Sequence, residues 1–600
     1  MATKEAIHLA RKAVWRIAVA VGLGCMAMSV AAAPNCSALA SDPANGIQGA
    51  PNVKSATSSV VPASGSTPSY CKVAILYGTN PTENINIVVG LPLSFADGGS
   101  GAVQGAWNGR TQGLGGGGCT GNLDPTPAVV GGYVGSGTDL GHPDGDCIPG
   151  VNPDGTYNSQ FIEDFIRIAI KQQVLWMKRV AKTYYAMAPA FNYWNGCSTG
   201  GRQGYLLAQE LGDQLDGIAA HAPAIFWTRF QTAQMWGQLA MVQLVGGPID
   251  PAKLAQTQAS AVAACDGADG IRDGIIEDPR TCHFDARANI CGKATAPGTN
   301  CLTAQEANVV NLIWDGPRNK KHNKIWFGLD RGTDFGILDG PAPFALGVIQ
   351  FEWDEHDRSF APNGPYGLFG PPAPSKWSTV TLEGPGLDYP EVAQDGSRNI
   401  ADVTDTFGPL DTFKAHGGKL LTFVGGNDQF IYPRGVIKYY RDMASRYSKN
   451  NKPDFGNLQK FYRLFRAPGV GHCGGGAGPS PVDPFGALIK WVEQGVPPAT
   501  LLAAGGTAAP ASGRTRPLCP YPQQAIYNGT GSTDDAANFH CGGNLETAAV
   551  VCPDVIVKYK HEVNGPLDYR GTGVNPGVCK KGKGGNDDSD DDDDGDDRGR

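Results

Sequence analysis

The chain has 600 residues, longer than a single ordinary domain, with 83 glycines and 44 prolines that indicate many loops. Hydrophobic residues make up 41% and charged residues only 18%, which excludes a largely disordered protein and leaves enough apolar side chains for a large core. The formal net charge of −8, without a basic patch, excludes a typical nucleic-acid-binding protein.

The N-terminus has the pattern of an export signal. Basic residues precede an apolar run over residues 17–30, and three alanines follow at 31–33. We predict a signal peptide over residues 1–33 and a secreted or periplasmic protein. A membrane anchor is the alternative, but the run is short for a span of roughly 20 residues, and no later stretch is long and apolar enough.

Cysteine usage fits an oxidising compartment. Fifteen cysteines are present, and cleavage near Ala33 removes Cys25. The remaining even number is consistent with seven disulfides, whose pairing the sequence alone leaves open.

Strand and helix patterns alternate along the chain. We predict helices over 161–183, 202–211, 436–447 and 483–494, and strands over 72–77, 85–93, 191–194, 216–222, 419–424 and 460–465. Such alternation predicts an α/β fold with a mostly parallel sheet. Residues 226–401 are instead rich in Trp, Pro and Gly and are interpreted as an inserted domain. Residues 580–600 contain the acidic run and are predicted to be disordered.

A nucleophile motif lies between a predicted strand and a predicted helix. The run Gly196-Cys197-Ser198-Thr199-Gly200 matches G-x-S-x-G. This motif exposes the serine Oγ on a sharp turn, and the glycines allow close packing around it. A glycine-rich loop without catalytic function is the alternative interpretation.

A serine hydroxyl needs a neighbouring base. In triads that contain a G-x-S-x-G serine, the chain order is serine, acid and histidine, so the histidine comes last. His472 lies in a loop directly after the strand predicted at 460–465, where the final catalytic loop is expected. A packing or surface role is the alternative. Five other histidines follow Ser198 but precede further strands: His221, His283, His322, His356 and His416.

The acid is expected in the loop after the preceding strand. Asp428 follows residues 419–424 through Gly425, Gly426 and Asn427. Its role would be to fix the imidazole tautomer and to stabilise the imidazolium. Asp411 and Asp405 are weaker candidates, and an ordinary turn aspartate is the alternative.

Two cysteines flank this constellation. Cys197 precedes the serine and Cys473 follows the histidine, so a disulfide between them would join nucleophile and base. Two unrelated bridges are the alternative, and an oxidising compartment disfavours a thiol nucleophile at Cys197.

An aspartate-rich segment begins at Cys265. Asp266, Asp269 and Asp273 alternate with glycines, and hard oxygen ligands from a tight loop suit Ca²⁺. Glu277 occupies the twelfth position of an EF-hand count only if the count starts at Asp266. A plain Asp/Gly turn is the alternative.

Taken together, these residues resemble the tannase and feruloyl esterase family. The resemblance rests on NGCSTGGRQG, FVGGND and GVGHCGGG, and it extends from about Cys36 to Cys552. It implies an α/β-hydrolase fold in two parts, residues 34–225 and 402–579, with a large inserted lid domain over 226–401. It also implies hydrolysis of aromatic acid esters of the feruloyl or hydroxycinnamoyl, galloyl or terephthaloyl type. Bacterial mono(2-hydroxyethyl) terephthalate hydrolases are similar too.

The resemblance implies further site residues. One oxyanion donor would be the Thr199 N–H and the other would come from Gly116 or Gly117. A structural Ca²⁺ in the lid would be held by Asp266, Asp269 and Asp273, with backbone carbonyls of Ile271 and Ile275. The family pattern pairs Cys197 with Cys473, Cys36 with Cys71, Cys265 with Cys282, Cys291 with Cys301, and Cys519 with Cys541. This leaves Cys119 with Cys147 and Cys552 with Cys579.

We therefore expect a secreted serine carboxylesterase acting on a small-molecule aromatic ester, without a nucleic-acid partner or a membrane span. A non-catalytic exported phenolic or carbohydrate binder, or an acyltransferase, on the same fold are the alternatives. The sequence leaves the oligomeric state open.

Overall fold

A computed structural model describes residues 33–142, 158–317, 324, 326–335, 408–510 and 513–547, together with two short strand pieces near the C-terminus. The predicted signal peptide, apart from Ala33, and the tail over 580–600 lie outside the described residues.

A nine-stranded sheet organises the fold, in the order β1-β2-β3-β5-β4-β6-β7-β8-β9. The first three strands and β5 pair antiparallel, whereas β5, β4, β6, β7, β8 and β9 are parallel neighbours. The strands are β1 Val53–Val61, β2 Tyr70–Tyr77, β3 Ile85–Pro92, β4 Arg110–Leu114, β5 Val134–Thr138, β6 Phe191–Cys197, β7 Gly217–His221, β8 Lys419–Gly425 and β9 Tyr462–Ala467.

Smaller sheets follow in the C-terminal part. Their strands are β10 Ser480–Pro481, β11 Leu501–Ala504, β12 Thr515–Leu518, β13 Gln524–Tyr527, β14 Phe539–Gly542, β15 Pro553–Asp554 and β16 Gly571–Thr572.

Helices connect the strands. They are α1 Cys36–Leu39, α2 Thr126–Val130, α3 Ser159–Glu163, α4 Ala169–Tyr185, α5 Thr199–Glu210, α6 Trp227–Val245, α7 Pro251–Cys265, α8 Ala304–Asp315, α9 Asp411–His416, α10 Pro433–Arg446, α11 Phe455–Leu458 and α12 Pro484–Gln494. The helix predicted over 161–183 is interrupted by a π-helical turn at Asp164–Ile168. No helix within the described ranges combines the length and apolar character of a membrane span.

The core explains why the middle of the sheet is parallel. Helix α4 buries Val174, Met177 and Val180 at helical spacing, and Trp194 of β6 is fully buried. Parallel strands covered on both faces need such continuous apolar surfaces. The predicted α/β class is therefore confirmed.

The segment after β7 contributes helices rather than sheet. The described part of residues 226–401 forms the helices α6, α7 and α8 and contributes no strand to the central sheet. Its later part contacts the core through α10, where Arg434 forms an ion pair with Asp330 at 3.0 Å and donates to the Gly328 carbonyl. The rings of Phe226 and Trp326 lie 5.0 Å apart at the same place.

Two buried carboxyl groups meet where the β2–β3 loop contacts the π-helical turn. Asp164 is 3% exposed and accepts a hydrogen bond from Gln160 at 2.9 Å. Burial, together with the charge and hydrogen bond of Glu83 and the charge of Glu163, raises the pKa of Asp164 to about 7. Because the folded pKa exceeds the ordinary 3.8, the proton-linked stabilisation is complete below about pH 4 and is lost as the pH rises through 7.

We expect Asp164→Asn to remove this pH dependence, because an amide mimics the protonated carboxyl group. At pH 8 its free energy of unfolding should exceed that of the parent by on the order of 2 kcal/mol, and at pH 5 the gain should shrink. Urea unfolding at both pH values measures this, with Asp213→Asn, at an exposed aspartate outside this cluster, as the control that should keep the parental trend. An unchanged pH trend in Asp164→Asn would contradict the assignment.

Candidate active site

Ser198 occupies a strained turn between β6 and α5. Its backbone has φ 62° and ψ −124°, a conformation that side chains with a Cβ rarely adopt. The Ser198 N–H donates to the His221 carbonyl at 3.0 Å, and the Ser198 carbonyl accepts from Arg202 and Ala224. This is the strand–turn–helix setting that a G-x-S-x-G nucleophile requires.

The two glycines of the motif are required because neighbouring backbone atoms leave no room for a Cβ. A Cβ at Gly196 would lie 2.5 Å from the Gly200 carbonyl oxygen, and one at Gly200 would lie 2.8 Å from the Gly116 oxygen. The Thr199 hydroxyl donates to the Gly118 carbonyl at 2.6 Å. The loop after β4 is therefore packed directly on the first turn of α5.

His472 and Asp428 lie side by side. Asp428 follows β8, and its Oδ2 is 2.9 Å from Nδ1 of His472. Its Oδ1 also accepts the N–H groups of Phe430 and Ile431 at 2.9 and 2.8 Å, which fix the carboxylate. Asp428 is buried and the His472 side chain is 16% exposed, and with Nδ1 held by Asp428 the other ring nitrogen, Nε2, is the one left for proton transfer.

A disulfide joins the two halves of the site. Cys197 and Cys473 are bonded and their Cα atoms are 6.0 Å apart, although 276 positions separate them in sequence. Their neighbours Ser198 and His472 are thereby brought to one place. Within the described residues, no hydrogen bond links the Ser198 hydroxyl to the His472 ring.

The other histidines of the described region are placed differently. His221 is buried beside the turn, and His283 is exposed. His416 lies 3.5 Å from Asp216 at the amino end of β7, away from Ser198. His322 and His356 fall outside the described residues, as does the alternative acid Asp405. Asp411 instead pairs with Arg446.

The predicted oxyanion donors differ in their hydrogen-bond partners. The Thr199 N–H belongs to the first residue of α5 and, like the other N–H groups of a first helical turn, has no acceptor within the helix. The Gly116 N–H, however, donates to Oε1 of Gln203 at 3.1 Å, and the Gly117 N–H donates to the Thr120 carbonyl at 3.0 Å. Both glycine amides therefore have protein acceptors in this structure, and a second oxyanion donor from this loop stays a prediction.

The aspartate loop begins where α7 ends, and its carboxylates are largely engaged. Oδ1 of Asp266 accepts three N–H groups, those of residues 273–275, and Asp273 pairs with Arg516 at 2.5 Å. In the described ranges no three His, Cys, Asp or Glu side chains converge as a ready-made metal site.

A cavity nevertheless gathers most of the predicted ligands. The cavity has a volume of about 30 Å³, which is enough for one small ion. Its lining includes Asp269, Ile271, Asp273, Ile275 and Glu277. Burial and neighbouring carboxylates raise the pKa of Asp269, and burial raises the pKa of Glu277 to about 7. Clustered carboxylates and backbone carbonyls suit a hard cation, and Arg466 and Arg516 line the same cavity. In the sequence, Glu277 is marked only by its position as the twelfth residue of an EF-hand loop counted from Asp266.

The cysteine pairs follow the family pattern. Besides the Cys197–Cys473 bond, the structure contains Cys36–Cys71, Cys265–Cys282, Cys291–Cys301 and Cys519–Cys541. Cys147, Cys552 and Cys579 lie outside the described residues.

Comparison with known proteins identifies relatives over most of the chain. A family model described as "Tannase and feruloyl esterase" matches residues 102–542. A "Probable feruloyl esterase" of Arthroderma benhamiae is 34% identical over 456 residues, 72% of this chain and 80% of that protein. An uncharacterized esterase of Xanthomonas campestris is 31% identical over 422 residues, 63% of this chain and 70% of that protein.

Solved structures share the fold. A crystal structure of an esterase from Aspergillus oryzae has a TM-score of 0.67 at 23% identity and covers 84% of this chain and 100% of that chain. A tannin acyl hydrolase from Aspergillus niger has a TM-score of 0.66 at 23% identity and covers 82% and 91%, respectively.

We expect the double variant Cys197→Ala/Cys473→Ala to lose both stability and activity, because the bond closes a very long loop beside the site. The kcat of ester hydrolysis should fall about tenfold or more. The free energy of unfolding should fall by about 2–5 kcal/mol. The control is Cys36→Ala/Cys71→Ala, which should lower Tm but leave kcat unchanged. Equal kcat values for both variants would argue against a positioning role of the bond.

Proposed function

Since the chain belongs to the tannase and feruloyl esterase family and is a carboxylic ester hydrolase, we propose that Ser198, His472 and Asp428 carry its reaction. The observation that supports this best is the pairing of Asp428 with His472 at 2.9 Å, next to a disulfide that leads directly to Ser198.

The reaction proceeds in two steps. His472 Nε2 takes the Ser198 hydroxyl proton while Oγ attacks the ester carbonyl carbon, and the Thr199 N–H stabilises the oxyanion. Collapse of this intermediate breaks the ester bond, and the proton passes from His472 to the leaving alcohol. Water then attacks the acyl-enzyme with the same base and releases the acid and free Ser198.

We assign esters of aromatic acids as the substrate class, of feruloyl or hydroxycinnamoyl, galloyl or terephthaloyl type. Relatives named feruloyl esterase and tannin acyl hydrolase support this assignment. Phe430 adds support, because its ring centroid lies 5.0 Å from that of His472 and offers an apolar wall for an aromatic acyl group.

The basic and apolar N-terminus, together with several disulfides, supports export with a cleaved signal peptide. We also assign residues 226–401 as a lid over the site. This assignment is supported by the family resemblance and by the contacts of that segment with α10.

We further propose a structural Ca²⁺ at the cavity described above, held by Asp269, Asp273 and Glu277 with the carbonyls of Ile271 and Ile275. Asp266 organises the loop, because its Oδ1 accepts hydrogen bonds from three backbone N–H groups. The ion would neutralise the carboxylates of Asp269 and Glu277, whereas the Asp273–Arg516 pair ties the loop to β12.

Ser198→Ala tests the nucleophile. Turnover of methyl ferulate, methyl gallate and terephthalate monoesters should fall by at least about 10³-fold with Tm unchanged, and covalent labelling by a fluorophosphonate should be lost. Ser260→Ala on α7 is the matched control and should retain both. Retained turnover in Ser198→Ala excludes this nucleophile, and a parent chain that neither labels nor turns over would indicate a non-catalytic binder.

Metal removal tests the calcium site. After EDTA treatment we expect Tm to fall and 1 mM Ca²⁺ to restore it, since a ligand at 100 times its Kd stabilises by about 2.7 kcal/mol. Elemental analysis should give about one Ca²⁺ per chain. Asp269→Asn should lose this EDTA response, whereas Glu306→Gln, elsewhere in the lid, should keep it. A parent whose Tm ignores EDTA would contradict the site.

A further inference from the structure

His221 lies between the serine turn and the strand that leads to the acid. It is the last residue of β7 and is in register with Cys197 of β6. Its carbonyl accepts the Ser198 N–H at 3.0 Å, and the Ser198 carbonyl accepts the N–H of Ala224 at 3.2 Å. The turn that carries the serine therefore depends on the backbone that begins at His221.

The side chain of His221 reaches the opposite neighbour, β8. Its Nδ1 accepts the Phe423 N–H at 3.3 Å, and the two rings stack with centroids 4.3 Å apart. The next residue, Ala222, has a positive φ of 37° and donates to the Phe423 carbonyl at 2.9 Å. Phe423 lies two residues before the end of β8, and the acid Asp428 follows three residues after that end.

The ring is fixed in one protonation state. Complete burial lowers the pKa of His221 to about 3, so the ring is neutral at physiological pH. Because Nδ1 accepts a hydrogen bond, the proton resides on Nε2. Nε2 is buried and has no hydrogen-bond partner among the described residues. An unpaired buried donor destabilises a folded protein, so the ring costs stability at Nε2 while it satisfies the Phe423 N–H at Nδ1.

We propose that His221 is a positioning residue for ester hydrolysis. It bonds to the serine turn through its carbonyl and to the acid-bearing strand through its ring, and it thereby sets the distance between Ser198 and the Asp428–His472 pair. This inference rests on the catalytic roles proposed above. The ring itself does not exchange protons with substrate.

The test compares two substitutions at this position. His221→Leu keeps apolar bulk but removes the acceptor, and kcat should fall by about 10- to 100-fold with KM nearly unchanged, as for a small misplacement of reacting groups. His221→Asn places Oδ1 near the Nδ1 position and should restore kcat to within about threefold of the parent. All values are taken per active site titrated with a fluorophosphonate.

Phe423→Leu is the matched control for packing. It removes the stacked ring but keeps the backbone N–H that His221 accepts, so Tm should fall while kcat per titrated site stays parental. Parental kcat per site in His221→Leu, or a loss of kcat in Phe423→Leu as large as in His221→Leu, would overturn the inference.

His221→Asn decides alone if His221→Leu does not fold, since a loss of kcat of tenfold or more in the asparagine variant would also overturn the inference. Failure of the proposed function is separate, because it would appear as turnover in Ser198→Ala or as absence of labelling in the parent.

Discussion

The backbone of Ser198 is the constraint on which the rest of the site depends. A residue with a Cβ at φ 62°, ψ −124° is strained by roughly 1–3 kcal/mol, so its surroundings must hold it. They do so through hydrogen bonds to the adjacent strand and helix and through glycines that allow backbone to touch backbone. The strain is therefore supported by β7 on one side and by the loop after β4, which packs on α5, on the other.

The proposed acid and base, Asp428 and His472, are held in a different way. Asp428 is fixed by two N–H groups of its own loop, and α10 begins at Pro433, directly after this loop. The same helix carries Arg434, which pairs with Asp330 of the inserted segment. The helix that follows the acid loop thus also anchors the described part of the insertion, so the insertion and the acid share one rigid support.

Sequence reasoning located the central strands and the three catalytic candidates because buried parallel strands produce continuous apolar runs and catalytic loops follow their carboxyl ends. It missed β4 and β5, whose glycines and polar residues give no such pattern. Gly113 of β4 is required because a Cβ there would lie 2.6 Å from the Trp194 ring. The amide partners of Gly116 and Gly117 depend on Gln203 and Thr120, contacts that only the folded loop creates.

The bond between Cys197 and Cys473 makes everything between them part of a covalent ring that contains the whole insertion. If the inserted sequence is lengthened, shortened or replaced, the disulfide that closes this ring stays the same. A protein built in this way can vary its inserted segment while the segments of Ser198 and His472 stay joined by the same bond. Even a chain cut within the insertion would retain both catalytic halves as one molecule until the bond is reduced.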